Sequence, residues 1–332
     1  MAEGTRAAVV LGSGGARGYA HIGALEVIAE RGIEVVAIAG TSMGALVGGV
    51  AAAGRLETYT EWARSLTQRE VWRLLDLNLT ASGGAIRAER IIARVGEILD
   101  GATIESLPIP FTAVATDINA RREVWFQRGP VEHAIRASIA IPGVITPAVI
   151  NGRVLVDGGL INPIPIEPTA AAPADVTIAV SLAGMRSSTG TATPVKESSE
   201  QRPHEEWTSR LRRSAAEVLD SERVRAITGR FSHGRDVDAE LTIPPEAADV
   251  VPQTPTEALV TGRADIGTVD LLNMSFDTMS ALISRYRMAS NPPDVLVTVP
   301  SNAVRTLDFH RAAEMIELGR QLTTEALDHA GL

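Results

Sequence analysis

The chain has 332 residues, enough for one large α/β domain or two ordinary ones. Hydrophobic residues make up 45% and charged residues 21%, so the chain can bury a core and fold as a globular protein. A net charge of −9 argues against nucleic acid as a partner and against adhesion to anionic lipid by bulk charge, and the absence of cysteine removes disulfides, thiolate metal sites and a cysteine nucleophile.

The first 180 or so residues alternate strand and helix signals. Ala7–Leu11 is a short apolar run that ends in glycines. Ala20–Glu30 carries Ala20, Ala24, Leu25 and Ile28 at helical spacing. Val35–Ala39 is a second strand, stopped by Gly40, and Ala45–Ala53 is a helix of small residues. Leu56–Leu75 holds one or two amphipathic helices, and Ala88–Leu99 another. Phe111–Asp117 and Glu123–Gln127 read as strands, and Val131–Ile139 as a helix that Pro142 ends at latest. Val149–Ile150, Asn151–Gly152 and Val154–Val156 predict a hairpin with a type I′ turn. Val176–Leu182 is one more buried strand. Short strands each followed by a helix predict a mostly parallel sheet covered on both faces.

Composition then shifts. Met185–Pro203 is rich in Ser, Thr, Gly and Pro and reads as a loop or linker. Trp207, Leu211, Ala215, Val218 and Leu219 follow at helical spacing beside Arg210, Arg212 and Arg213, as a docked helix or one that meets a lipid surface. Ala247–Asp265 is irregular. Val269–Met288 and Phe309–Ala330 are helical, with a strand at Val295–Val299. The expected division is an α/β core over 5–183, a linker over 184–206 and a mainly helical extension over 207–332 packing on that core. No apolar run reaches the ~18 residues of a membrane span, and Met1–Arg6 is too short and polar for a signal peptide. The expected location is cytoplasmic, with any membrane contact peripheral.

Two glycine-rich turns carry the chemistry. The first strand runs into Gly12-Ser13-Gly14-Gly15-Ala16-Arg17-Gly18 and then a helix, so backbone N–H groups and a helix N-terminus can face one anionic point. A dinucleotide site is one reading. Its spacing, Gly-x-Gly-x-x-x-Gly, is one residue longer than the usual fingerprint, and the second strand ends in Gly40-Thr41 where that fingerprint expects a ribose-binding acid. The second turn is Gly40-Thr41-Ser42-Met43-Gly44, a Gly-x-Ser-x-Gly between strand and helix, the context of a nucleophile elbow. The pentapeptide alone is weak, and its strand–turn–helix setting carries the weight. The histidines at 21, 133, 204, 233, 310 and 329 stand in no catalytic context and read as structural. No carboxylate or histidine cluster has metal-ligand spacing, so neither a metal nor another cofactor is expected.

A second candidate group is Asp157, in Asp157-Gly158-Gly159 after the strand Val154–Val156. Alone it is a common turn. Asn162-Pro163-Ile164-Pro165 follows it as a stiff segment, and Ser138-x-Ala140-x-Pro142 precedes it at a helix end. Taken in order, Gly14-Gly15-x-Arg17-Gly18, Gly40-x-Ser42-x-Gly44, Ser138-x-Ala140-x-Pro142 and Asp157-Gly158-Gly159 resemble the patatin-like phospholipases, above all the bacterial members near the neuropathy target esterase catalytic domain. The resemblance covers about residues 7–182. Asn273–Arg287, Asn291-Pro-Pro-Asp294 and Leu307-Asp308-Phe309-His310 also look like those bacterial proteins. Ser13 departs from the pattern where many members have glycine, and 184–250 holds no matching motif.

The resemblance implies a three-layer α/β sandwich with a mostly parallel central sheet and extra C-terminal helices. It implies a serine lipid acyl hydrolase with a Ser42–Asp157 dyad and no histidine. Gly40 and Gly44 would shape the elbow, and Gly158 and Gly159 the aspartate turn. The loop of Gly14, Gly15, Arg17 and Gly18 would supply the oxyanion hole, with Arg17 orienting it. The implied partner is a phospholipid or lysophospholipid substrate. Two other readings stay open from the residues alone: a nucleotide-binding α/β protein, and a non-catalytic interaction protein on the same fold.

Overall fold

A computed structural model describes residues 4–75, 84–184 and 268–332. Its centre is an 8-stranded sheet. β1 (Arg6–Leu11), β2 (Glu34–Thr41), β4 (Phe111–Asp117), β9 (Val176–Gly184) and β10 (Val295–Pro300) run parallel in the order β10-β9-β1-β2-β4. β5 (Arg122–Phe126), β7 (Ala148–Ile150) and β8 (Arg153–Asp157) complete it by antiparallel pairing. Short β3 (Gly84–Ile86) and β6 (Gly143–Ile145) form a separate parallel pair that the apolar pattern had not marked.

Each face of the sheet is covered, because its central strands are apolar on both sides. On one face Val9 and Leu11 of β1 join a large core with α1 (Ala20–Glu30), α2 (Met43–Ala52) and α8 (Ala312–Ala330). On the other, Val10 and Ala179 pack with Ile164 and Ile166, against which Met288 of α7 (Thr268–Ser290) lies. The architecture is therefore the expected three-layer α/β sandwich. The stretch 56–75 forms two helices, α3 (Leu56–Ser65) and α4 (Gln68–Leu74). Thr67 separates them by capping α4: its side chain accepts from the Glu70 N–H while the Glu70 carboxylate accepts from the Thr67 N–H. α5 (Glu89–Leu99) and α6 (Val131–Ser138) lie at the predicted places. The 151–152 turn has positive φ at both Asn151 and Gly152 (51° and 74°), as a type I′ turn requires.

Residues 268–332 share one compact unit with the N-terminal part, and β10 extends the main sheet along β9. Gly184, the first residue of the expected linker, ends β9, while residues 185–206 and the Trp207–Leu219 stripe lie outside the described residues. Among the described residues no helix is long and apolar enough to cross a membrane.

The register of β4 fixes where the two candidate groups meet. Residues 113–114 pair with β2 and with β5, while residues 115–117 pair with β8 and with β5. A strand has two edges, so β2 and β8 share one edge of β4, the first ending where the second ends. Thr41 pairs with Val114, and Asp157 pairs with the next residue, Ala115. Two strands running in opposite directions thus bring their C-terminal ends together at the point where the parallel strands stop.

Candidate active site

Ser42 follows Thr41 directly and turns the chain from β2 into α2. Its φ is 58° and its ψ −122°, a strained conformation for a residue with a side chain. Two close approaches make the bend possible. A Cβ on Gly44 would run into the Leu11 carbonyl, and one on Gly40 into the backbone of Gly44 and Ala45. Hydrogen bonds then hold the bend. The Ser42 N–H donates to Ser138 Oγ (2.8 Å), and that hydroxyl donates to the Val114 carbonyl (2.6 Å). Thr41 Oγ1 donates to the Asn162 carbonyl at 2.9 Å.

Asp157 closes β8. Its N–H donates to the Ala140 carbonyl (2.9 Å), and its carbonyl accepts from Thr116 Oγ1 (3.1 Å). With its backbone fixed, its carboxylate accepts Ser42 Oγ–H on Oδ2 at 2.5 Å and the Gly159 N–H on Oδ1 at 2.7 Å. Ser42 is 4% exposed and Asp157 5%. Burial pushes the Asp157 carboxyl up to about 6, although the bonds from Ser42 and Gly159 favour its charged form. A base with that value is mostly ionised at neutral pH and far more basic than a free carboxylate. A Cβ on Gly158 would run into the Val114 carbonyl and one on Gly159 into the Ser13 side chain, so this turn packs closely between β4 and the first glycine loop.

The loop after β1 is tied down by the N–H groups of Gly12, Ser13 and Ala16, which donate to Val180, Pro163 and Thr306 carbonyls at 2.8–3.0 Å. These bonds pass over the N–H groups of Gly14 and Gly15. Gly15 has φ 60°, in the left-handed region that glycine reaches without a steric cost. Arg17 is 5% exposed and reaches back to the loop: Nε donates to the Gly14 carbonyl (3.0 Å) and Nη1 to the Ser301 carbonyl (2.7 Å). Because the peptide unit is planar and trans, fixing the Gly14 carbonyl on Arg17 turns the Gly15 N–H to the opposite side. Gly14, Gly15 and Arg17 line the cleft that holds Ser42 and Asp157. Gly18, the fourth residue expected there, packs against Met43 and is not among the residues lining that cleft.

His21 is fully buried with Nε2 on the Gly12 carbonyl (2.8 Å), and burial pushes it down to about 4, so it is a neutral support for the loop. His133, His310 and His329 make no hydrogen bond to Ser42 or Asp157. His204 and His233 lie outside the described residues. Among the described residues no cluster of His, Asp or Glu could hold a metal.

Ser42 stands at the junction of two unlike cavities. On one side an almost wholly apolar cavity runs past Met43, Leu46, Tyr59, Leu66, Ile91 and Phe309. On the other is the cleft with Arg17, Asp277, Ser280 and Thr306. A nucleophile activated by a buried base, with unused N–H donors nearby, can attack a carbonyl carbon and stabilise the resulting oxyanion.

Sequence reasoning found Ser138 as part of a motif without a function for it. It missed a polar network behind the site. Asn162 Nδ2 donates to Glu123 (2.8 Å) and Glu167 (3.3 Å), and Arg287 of α7 bridges the same two carboxylates at 2.8 and 2.7 Å. No local pattern signals a contact spanning 164 residues.

Residues 9–170 match the family model described as patatin-like phospholipase. An uncharacterized NTE family protein of Mycobacterium tuberculosis is 44% identical over 97% of this chain and 91% of its own length. Patatin-like phospholipase domain-containing protein 7 of Mus musculus is 33% identical over 54% of this chain but only 14% of that protein. Protein 6 of the same name from Homo sapiens is 34% identical over 53% of this chain and 13% of its length. Among solved structures, VipD from Legionella pneumophila overlaps 99% of this chain and 67% of its own at a TM-score of 0.42 and 14% identity, a likeness too loose to bear on function.

Proposed function

This chain belongs to the patatin-like phospholipase family, among its NTE members, and on that premise we propose that it is a serine lipid acyl hydrolase acting through Ser42 and Asp157. The observation that carries the proposal is the hydrogen bond from Ser42 Oγ to the buried Asp157 carboxylate, made at the mouth of an apolar cavity. The substrate is a fatty-acyl ester of a phospholipid or lysophospholipid.

The reaction runs in two halves. Ser42 Oγ attacks the ester carbonyl carbon while Asp157 takes its proton. The Gly14 and Gly15 N–H groups receive the negative oxygen, a contribution of about 3 kcal/mol per donor in comparable sites. The tetrahedral species collapses, the C–O bond to the alcohol breaks, and Asp157 returns the proton to the leaving oxygen. Water then attacks the acyl-enzyme, Asp157 takes a proton from it, and the fatty acid leaves as Ser42 recovers its proton. Asp157 touches Ser42 directly, so no imidazole relay is needed.

The apolar cavity suits the acyl chain, which gains about 0.8 kcal/mol for each buried methylene. The nucleotide reading is weaker, since Gly40 and Thr41 end β2 where a ribose-binding acid would stand. The proposal is tested by turnover of a p-nitrophenyl fatty-acyl ester and of a lysophospholipid. Wild type should hydrolyse both, and Ser42→Ala should lose at least a thousandfold in kcat with an unchanged melting temperature. Full turnover by Ser42→Ala would move the nucleophile elsewhere. A wild type inert on every ester would favour a non-catalytic role.

A further inference from the structure

The cleft beside Ser42 opens into a larger groove of about 470 Å³ between α7 and the ends of β9 and β10. The two spaces share Ser13, Gly14, Arg17, Asp277 and Ser280, so they are continuous from the dyad outward. Unlike the apolar cavity, the groove sets hydroxyls and charges, Ser13, Arg17, Asp277, Arg285 and Ser301 among them, beside apolar side chains such as Leu182 and Met274. Arg17 is committed within it, bonded to Gly14, Ser301 and, at 3.4 Å, Asp277. Arg285 lines the outer part. It is exposed, and among the described residues it makes no ion pair or hydrogen bond. On α7 it lies about 7 Å beyond Ser280 along the helix axis, at ~1.5 Å per residue.

An ester bound at Ser42 has two arms. The apolar cavity accepts the hydrocarbon arm, so the alcohol arm leaves through the cleft toward the groove and its charged side chains. In a glycerophospholipid that arm carries a phosphodiester a few bonds from the ester oxygen. An arginine without a protein partner, placed one to two helical turns along the exit path, offers planar paired donors to such an anion. Asp277, nearer the dyad, is partly neutralised by Arg17 and does not compete for it. We infer that the groove is the headgroup subsite and that Arg285 binds the substrate phosphate, so that the enzyme prefers phosphate-bearing acyl esters to neutral ones. This inference rests on the hydrolase reading and adds to it the residue that selects the alcohol.

The test compares a lysophospholipid with the monoacylglycerol of the same acyl chain, each presented in non-ionic mixed micelles so that surface charge does not differ. Wild type, Arg285→Gln and Arg285→Lys are assayed, with circular dichroism to check the fold. The ratio of kcat/KM for lysophospholipid over monoacylglycerol should fall at least tenfold in Arg285→Gln, through KM, and recover in part in Arg285→Lys. An unchanged ratio, or a wild type that prefers the neutral ester, would overturn the subsite while leaving the hydrolase standing. A wild type that cleaves neither substrate, nor a p-nitrophenyl ester, would overturn the hydrolase itself.

Discussion

Ser138 holds the backbone of Ser42: its hydroxyl accepts the Ser42 N–H at 2.8 Å while donating to Val114 at 2.6 Å. The strained φ of Ser42 therefore depends on a side chain 96 residues away. Ser138→Ala leaves one buried N–H and one buried carbonyl without this partner, a cost of about 1–3 kcal/mol. The expected outcome is a lower melting temperature together with a tenfold or greater fall in kcat and little change in KM, because substrate binding surfaces are untouched. Steady-state kinetics on a soluble ester check it.

With its carboxyl pushed up to about 6 by burial, Asp157 bears on the pH dependence of stability and, as the proposed base, on that of the rate. The proposed base acts only when ionised, so kcat/KM should fall as pH drops through about 6. That midpoint overlaps an ordinary histidine, so the position of the limb does not by itself identify the group. His21→Gln should leave the limb in place, since His21 is held near 4 and far from protonation at pH 6. For stability the sign is reversed from the usual carboxylate. The folded value lies above the unfolded one, so the protein binds the proton more tightly when folded and loses stability as pH rises from about 4 to 6. Asp157→Asn should therefore melt above wild type at pH 7, and the gap should close as pH falls below 6. A pH series of melting curves for the two proteins reads this directly.

Arg287 bridges Glu123 and Glu167 at 2.8 and 2.7 Å, and its side chain is 26% exposed. Arg287→Met would leave two carboxylates on either side of Asn162 without their cation. Half-burial limits the loss to about 1–2 kcal/mol, below that of a fully buried pair. Because the Asn162 carbonyl receives the Thr41 hydroxyl, a moderate fall in kcat should accompany it. Adding Glu123→Gln to Arg287→Met should recover part of the lost stability, and chemical denaturation of the four proteins of this cycle measures the coupling.

Local chemistry made much of this molecule readable from its residues. The apolar runs at Ala7–Leu11 and Val176–Leu182, the helical spacing of Ala20–Glu30 and the Asn151–Gly152 turn are short-range signals, and the strands, helix and turn form there. The elbow and the aspartate turn were visible as glycine patterns at strand ends. What could not be read is register. That Thr41 and Asp157 meet neighbouring residues of β4 follows from strand pairing between distant segments, and no pattern within either segment encodes it. The Arg287 network and the grip of Arg17 on Ser301, 284 residues on, are hidden for the same reason. β3 and β6 were missed because three-residue strands carry too little alternation to recognise.

The proposed hydrolysis stands on Asp157 making Ser42 a nucleophile. A fluorophosphonate probe, followed by intact-mass measurement and peptide mapping, tests it most directly. One adduct per chain is expected, on Ser42, formed at least a hundredfold more slowly in Asp157→Asn and at the wild-type rate in His133→Gln. An adduct on another residue, or equal labelling of Ser42 in wild type and Asp157→Asn, would contradict it.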